Sequence, residues 1–209
     1  MTSPPPSRRG RGRRPLAEVR ADVLEAAAEV LRAEGVAGFT IDKVIAAAGV
    51  SPTTVYKHWP SRGALALDGY LHAVGDTLAV RDTGDVRADV ESIVVAFVDL
   101  VTRRPEGPVF AQLIGAAQTD PELAAQFGQH YFGPRRREVF ALLERAKQRR
   151  QLRADADIAL LVDLIWGACY IRLLLPHLTD QLTADFAREV VREVLSRAVI
   201  DSPADDDPE

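Results

Sequence analysis

The sequence predicts an all-α protein of about nine helices, with an N-terminal three-helix helix-turn-helix domain ahead of a larger helical C-terminal domain. Apolar residues recur at spacings of three and four along nearly the whole chain, while alternation with period two is scarce. Polar breaks carrying Gly, Pro or a capping Ser, Thr or Asp separate these runs at helix-length intervals. The stretch GVSPTTVYKHWPSR, residues 49–62, then places a turn glycine, a capping serine and a proline before a short polar segment.

Taken in order, residues 1–14 form a Pro-, Arg- and Gly-rich arm whose composition predicts disorder. A first helix over 16–34 sets Leu16, Val19, Val23, Ala27, Val30 and Leu31 on one stripe, and Gly35 stops it. Thr40 caps a second helix reaching Ala48, with Ile41, Val44, Ile45 and Ala48 inward, and Gly49 ends it. Ser51 caps and Pro52 opens a third, which runs to His58. So short a helix does not persist alone in water, so Val55 and Trp59 must anchor it by packing. Pro60 breaks the chain, Ser61 caps again, and a connecting helix over 61–80 carries Leu65, Leu67, Leu71, Val74 and Leu78. Further helices are expected at 86–104, 108–118, 120–150, 155–177 and 183–199. The long one should bend near Phe132–Pro134, where Gly133 and Pro134 disrupt the helical ladder. The acidic tail DSPADDDPE, 201–209, is again expected to be disordered, so the domains read as 15–62 and 63–200.

At 209 residues, 47 % hydrophobic and 27 % charged, the chain can bury a substantial core. Its single cysteine, Cys169, excludes an internal disulfide or a cysteine zinc cluster and suits a reducing, cytoplasmic setting. Asp163 and Arg172 interrupt the longest apolar run, so no membrane span is expected. The net charge of −4 hides an asymmetry: residues 1–62 hold ten Lys and Arg against six Asp and Glu, and the remainder 16 against 24. A basic head on an acidic body suits a polyanion bound at one end. His58, His72, His130 and His177 are scattered without metal-ligand spacing, and no G-x-S-x-G or phosphate-cradling glycine loop occurs. No catalytic residue, cofactor or metal site is therefore expected.

Two short helices joined by AGVS, residues 48–51, fit a helix-turn-helix whose second member lies in the major groove. With Val55 inward, Thr53, Thr54, Tyr56, Lys57 and His58 are expected to face outward. Threonine offers a hydroxyl and a methyl to bases, lysine reaches guanine or phosphate, and tyrosine and histidine reach phosphate oxygens. The helix starts at Thr40, Ser51 and Ser61 offer oriented N–H groups to phosphates, and Arg62 adds a charge. Ahead of the first helix, Arg8, Arg9, Arg11, Arg13 and Arg14 are interleaved with glycine, a composition suited to following a minor groove.

The stretch FTIDKVIAAAGVSPTTVYKHWPSRGALALDGY, Phe39 to Tyr70, resembles the N-terminal DNA-binding domain of the TetR family of transcriptional regulators. The ordered string T-V-Y-K-H-W-P-S-R followed by A-L carries the likeness, which extends over about residues 16–70. The resemblance implies that Thr53, Thr54, Tyr56, Lys57 and His58 fall where the family contacts DNA, and Thr40 and Arg62 at phosphate-contacting helix starts. It further implies a repressor that a small molecule releases from a near-palindromic operator in double-stranded DNA, working as a homodimer through its last two long helices. Two positions depart from the family pattern: Arg62 stands where lysine is commoner, and Gly63 where an acidic residue is usual.

The body can support such a dimer. The helix over 155–177 is apolar nearly all round, with Ile158, Leu161, Ile165, Cys169 and Arg172 on one side and Leu164, Trp166, Tyr170 and Leu173 around it. The helix over 183–199 adds Phe186, Val190, Val191, Val194 and Leu195, which suits either an isologous four-helix interface or a buried intramolecular pair. Phe97, Val101, Phe110, Leu113, Phe132, Phe140, Trp166 and Tyr170 can line a cavity for a largely apolar effector, with Gln112, His130 or Arg172 orienting it, although residues of these types are more often plain core. The rival to a sequence-specific regulator is an architectural protein that coats DNA without preference.

Overall fold

The computed structural model describes residues 15–177 and 179–200, and the arm arginines and the acidic tail lie outside the described residues. Among the described residues the chain folds into nine helical rods, with one isolated bridge between Leu152 and Val199 as its extended pairing. The rods are α1 (Leu16–Gly38), α2 (Ile41–Ala48), α3 (Pro52–His58), α4 (Arg62–Val74), α5 (Val86–Arg103) and α6 (Gly107–Ala117). Then come α7, which runs without a break through Pro121–Phe127, Gly128–Phe132 and Gly133–Gln148, then α8 (Ile158–Leu174) and α9 (Ala184–Ser196).

Capping chemistry sets most of these boundaries. Thr40, Ser51, Ser61 and Thr183 each accept a backbone N–H two or three residues into the helix they precede, and Asp85, Asp120 and Asp157 do the same for α5, α7 and α8. Gly49 closes α2 in the left-handed region at φ 64°, where a side chain would be strained. In α1 the regular spiral stops at Gly35, φ 67° and ψ −177°, and the following turn drives Val36 and Phe39 into the core. Leu16 departs from the expected stripe: it is 59 % exposed, and the buried set is Val23, Ala26, Ala27, Ala28 and Leu31.

The connecting helix is shorter than the 61–80 that its apolar spacing predicts. It ends at Val74 because Gly75 takes φ 51°, and Leu78 and Val80 follow in a loop that turns back onto the body. That loop is fastened along its length. Asp82 accepts from Arg145 at 2.6 Å and from Arg149 at 2.5 and 2.9 Å, which holds its carboxyl well below the usual carboxylate range. Buried Asp89 accepts from the Thr83 backbone N–H at 2.9 Å and its hydroxyl at 2.6 Å, so the charge keeps its partners.

The bend expected near Phe132–Pro134 is a π-helical turn over Gly128–Phe132. Pro134 has no N–H to continue the ladder, and the Gly133 N–H reaches back five residues to the Gly128 carbonyl. A Cβ on Gly133 would stand 2.8 Å from that oxygen, so glycine is what permits the closure. The extra residue in the turn rotates the face of the rod that follows.

Helix α4 packs along α1 at close range: a Cβ on Gly69 would lie 2.7 Å from Ala27 Cβ and 3.2 Å from its backbone. Helix α9 lays Ala187, Val191 and Leu195 against α5, with Arg188 bridging to Glu91 at 3.2 Å. Gly69→Ala therefore forces α1 and α4 apart and should destabilise the fold by about 1–3 kcal/mol. The urea midpoint should fall with an unchanged slope; an unaltered midpoint would mean the two helices have room that the packing denies.

Candidate nucleic-acid interface

The geometry of the head starts from one buried pair. Val55 is fully buried and Trp59 is 2 % exposed, and together they hold α3 on the core formed by Val44, Phe39 and α4. The Trp59 indole N–H donates to Asp68 Oδ2 at 2.8 Å. Arg20 reaches the same carboxylate oxygen at 3.2 Å and sets its guanidinium 5.1 Å above the indole ring. The aromatic ring is thus fixed at its edge by a hydrogen bond and on its face by a cation.

With that side committed, the remaining α3 residues divide unevenly. Thr53, Tyr56 and Lys57 are exposed, Tyr56 at 50 %. Thr54 is half-buried, and its hydroxyl lies 2.9 Å from the Ser51 hydroxyl whose oxygen caps α3, so it helps lock the cap rather than pointing freely outward as expected. His58 is half-buried beside the Trp59 ring edge. Thr40 and Arg62 are exposed at the starts of α2 and α4, and Ser51 at the start of α3.

The cations of the head divide in the same way. Arg20 is paired with Asp68, Arg32 with Glu106, and Lys43 with Glu34 and the Gly38 carbonyl. Among the described residues of the head, Lys57 and Arg62 are the cations left without an acidic partner, and both belong to the expected surface. Neither the internal pairing of Arg20, Arg32 and Lys43 nor the role of Thr54 is visible in spacing alone, since each depends on a partner in another helix or on hydroxyl geometry.

Between α5, the π turn of α7 and α8 the body holds a partly open cavity of about 260 Å³. Of the residues expected to line it, Phe97, Phe132, Trp166 and Tyr170 do. Phe110 and Leu113 are fully buried core and Val101 nearly so, Phe140 is half-buried under the Arg136 guanidinium, and His130 is exposed. Gln112 accepts the Val36 N–H at 2.8 Å, tying α6 to the end of α1, and Arg172 lies over Phe186 and donates to the Gln181 carbonyl. Spacing did not reveal Leu78 and Val80 from the loop after α4, nor Tyr131, Arg135, Arg136 and Asp163. The Phe132–Pro134 bend was the one available signal, because the π turn brings Tyr131, Phe132, Arg135, Arg136 and Val139 to the same side. Tyr70, Tyr131 and Tyr170 gather around Phe110, and burial pushes all three hydroxyls upward, so they stay protonated; that of Tyr70 has no hydrogen-bond partner among the described residues. Among the described residues no three His, Cys, Asp or Glu side chains converge as a metal site, and no helix is long and apolar enough to cross a membrane.

Head and body meet at close contacts. Besides the Gln112–Val36 bond, Arg32 reaches Glu106 at 3.4 Å, and a Cβ on Gly63 would stand 3.1 Å from Leu123 Cβ in α7. The glycine that departs from the family pattern is therefore the residue over which α4 and α7 touch.

Residues 23–68 match the family described as bacterial regulatory proteins, tetR family, and residues 80–194 match the tetracyclin repressor-like C-terminal domain. The chain is 36% identical over 169 residues to the HTH-type transcriptional regulator YdeS of Bacillus subtilis, covering 81% of this chain and 84% of that one. It is 30% identical over 150 residues to the DNA-binding transcriptional repressor TetR of Mycobacteroides abscessus, covering 69% and 76%. The crystal structure of a TetR family transcription regulator, 48% identical, superposes with a TM-score of 0.75 over 86% of this chain and 98% of the other.

The Trp59–Asp68–Arg20 arrangement can be tested directly. Asp68→Ala leaves the indole N–H of buried Trp59 without its acceptor and should cost about 1–3 kcal/mol. The Trp59 fluorescence should shift on mutation and thermal melting should fall; a melt indistinguishable from wild type would show that the bond does not hold α3.

Proposed function

The chain belongs to the TetR family of DNA-binding transcriptional regulators, and from that premise we propose that it is a sequence-specific repressor, a homodimer that a small molecule releases from a near-palindromic operator. The observation that carries the DNA part is the pinned α3: with Val55 and Trp59 buried, Thr53, Tyr56 and Lys57 project outward beside Arg62. These side chains would read or clasp the duplex, with His58 and Thr54 at the rim, Thr40 and Ser51 offering their helix starts to phosphate, and Arg11, Arg13 and Arg14 following the minor groove. Residues 15–62 would form the reading head and 63–200 the sensing and pairing body, acting in the cytoplasm and without catalysis.

Support for the pairing is the surface of α8. Leu160, Leu164, Ile171 and Leu174 are 40–55 % exposed along one side, with Gly167 in their midst where an added Cβ would meet nothing within 4 Å. Phe186, Val190 and Val194 of α9 are half-buried next to this stripe, whereas Val191 and Leu195, expected at the interface, face α5 inside the same chain. A second copy laid on this stripe would remove it from water and set two reading heads side by side. Release would follow if an occupied cavity moves α7 against Gly63 and α6 against Val36, because those contacts orient the head.

Binding-site selection from random duplex DNA tests this reading. Recovery of a near-palindrome with half-sites about one helical turn apart, roughly 34–36 Å or somewhat more, is expected. Coating without any enriched site would sink it in favour of the architectural reading. On the selected site Tyr56→Ala and Lys57→Ala should each weaken binding by about tenfold, or ~1.4 kcal/mol, with unchanged helicity and mass. Retained affinity in both would dismiss α3 as the reader. Leu164→Asp should yield monomers by sedimentation and weaken operator binding further; a persistent dimer would exclude the α8 stripe as the seam.

A further inference from the structure

We propose that the cavity between α5, α7 and α8 takes an amphipathic organic anion, whose flat apolar body lies among Phe97, Tyr131, Trp166 and Tyr170 and whose single carboxylate or sulfonate is held by Arg136. This names the chemical class of the effector proposed above, and depends on that reading for what binding does to DNA, not for binding itself.

Three features of the cavity carry it. Its volume, about 260 Å³, suits a compact ring system, and its walls are aromatic and aliphatic except for Arg135, Arg136 and Asp163. Aromatic rings on several sides favour a flat body that stacks or meets ring edges. The charged groups then fix the sign. Two guanidiniums and one carboxylate line the cavity, and although Glu138 offsets Arg135 from outside it, the lining offers a cation only the Asp163 carboxylate, which Arg136 already holds.

The two arginines are not equivalent. Arg135 is committed: it donates to the Leu78 carbonyl at 2.8 Å and pairs with Glu138 at 3.4 Å. Arg136 lies 4.8 Å over the Phe140 ring and uses one Nη1 to reach Asp163 Oδ1 at 2.5 Å; its other N–H groups have no hydrogen-bond partner among the described residues. A guanidinium fork with free donors beside an apolar chamber is suited to a bidentate acid. Its present partner is replaceable, because the Asp163 side chain is 62% exposed and regains water when displaced. The exchange has a structural consequence. Arg136–Asp163 ties α7 to α8, so a ligand acid that takes Arg136 unties the helix that touches Gly63 from the helix that carries the exposed apolar stripe.

Two fluorescent probes with one ring system separate body from charge: 1-anilinonaphthalene-8-sulfonate and the uncharged N-phenyl-1-naphthylamine. Each is titrated into the full-length protein, with energy transfer from Trp166 locating the probe and Trp166→Phe as its control. The sulfonate should bind at least tenfold tighter than the neutral probe. Arg136→Gln should abolish that preference while sparing the neutral probe, Asp163→Asn should strengthen sulfonate binding, and Val139→Phe, which fills the cavity, should remove both. Equal affinities in the wild type, a sulfonate preference that survives Arg136→Gln, an Asp163→Asn variant that binds the sulfonate no better, or binding that survives Val139→Phe in a folded variant overturns the proposal. The same titrations on operator-bound protein keep the two readings apart. DNA released equally by both probes overturns the anion class and leaves effector control standing, whereas an Arg136-dependent preference with DNA still bound overturns effector control and leaves the anion class standing.

Discussion

The burial of Val55 and Trp59 is the constraint on which the head depends. The seven residues of α3 are too few to sustain helical structure in water, so their shape is borrowed from the core they touch. Trp59 sits one residue past the helix, where its N–H closes the last turn onto the Val55 carbonyl while its indole bonds Asp68 of α4. Backbone and side chain of a single residue thus fix both the end of the short helix and its angle to the longer one. Everything exposed on α3 is exposed because this side is committed.

The same economy ties head to body. Close approach at two glycines joins them beyond the packing of α1 on α4. Gly63 lets Leu123 of α7 come against α4, and Gly35 lets the chain turn so that the Val36 N–H meets Gln112 of α6. A side chain at Gly63 would press on the Leu123 Cβ, and one at Gly35 would be strained by the positive φ and would crowd the Gln112 side-chain oxygen. A displacement of α6 would be felt at α1 through the 2.8 Å bond between Val36 and Gln112, and one of α7 at α4 through the packing of Leu123 on Gly63.

Much of this was legible in the sequence, and the reasons are local. Thr40, Ser51, Ser61, Gly49 and Pro52 announce their helix boundaries because capping and φ preferences act within a few residues. The inward Val55 and Trp59 follow from helical spacing. What spacing could not see is pairing across the chain. Apolar periodicity carries a helix through Leu78 and Val80, yet Gly75 turns the backbone and the loop is then pinned by Arg145 and Arg149, which lie more than sixty residues away. Phe110 and Leu113 look like cavity residues by type, but their neighbours from α4, α5 and α7 close over them. Arg135 and Arg136 reach the cavity only because a π turn re-aims the second half of α7, where Asp163 meets them from α8, and a bend is easier to foresee than the direction it confers.

The measurement that bears most directly on the account is the map of amide and methyl chemical shifts in the isotope-labelled protein as its selected duplex is added. The account predicts the largest changes at Thr53, Tyr56, Lys57 and Arg62, smaller ones at the helix starts Thr40 and Ser51, and little at the Val55 methyls, which stay packed behind the reading surface. Changes centred on α8, α9 or the acidic body, with α3 undisturbed, would contradict it.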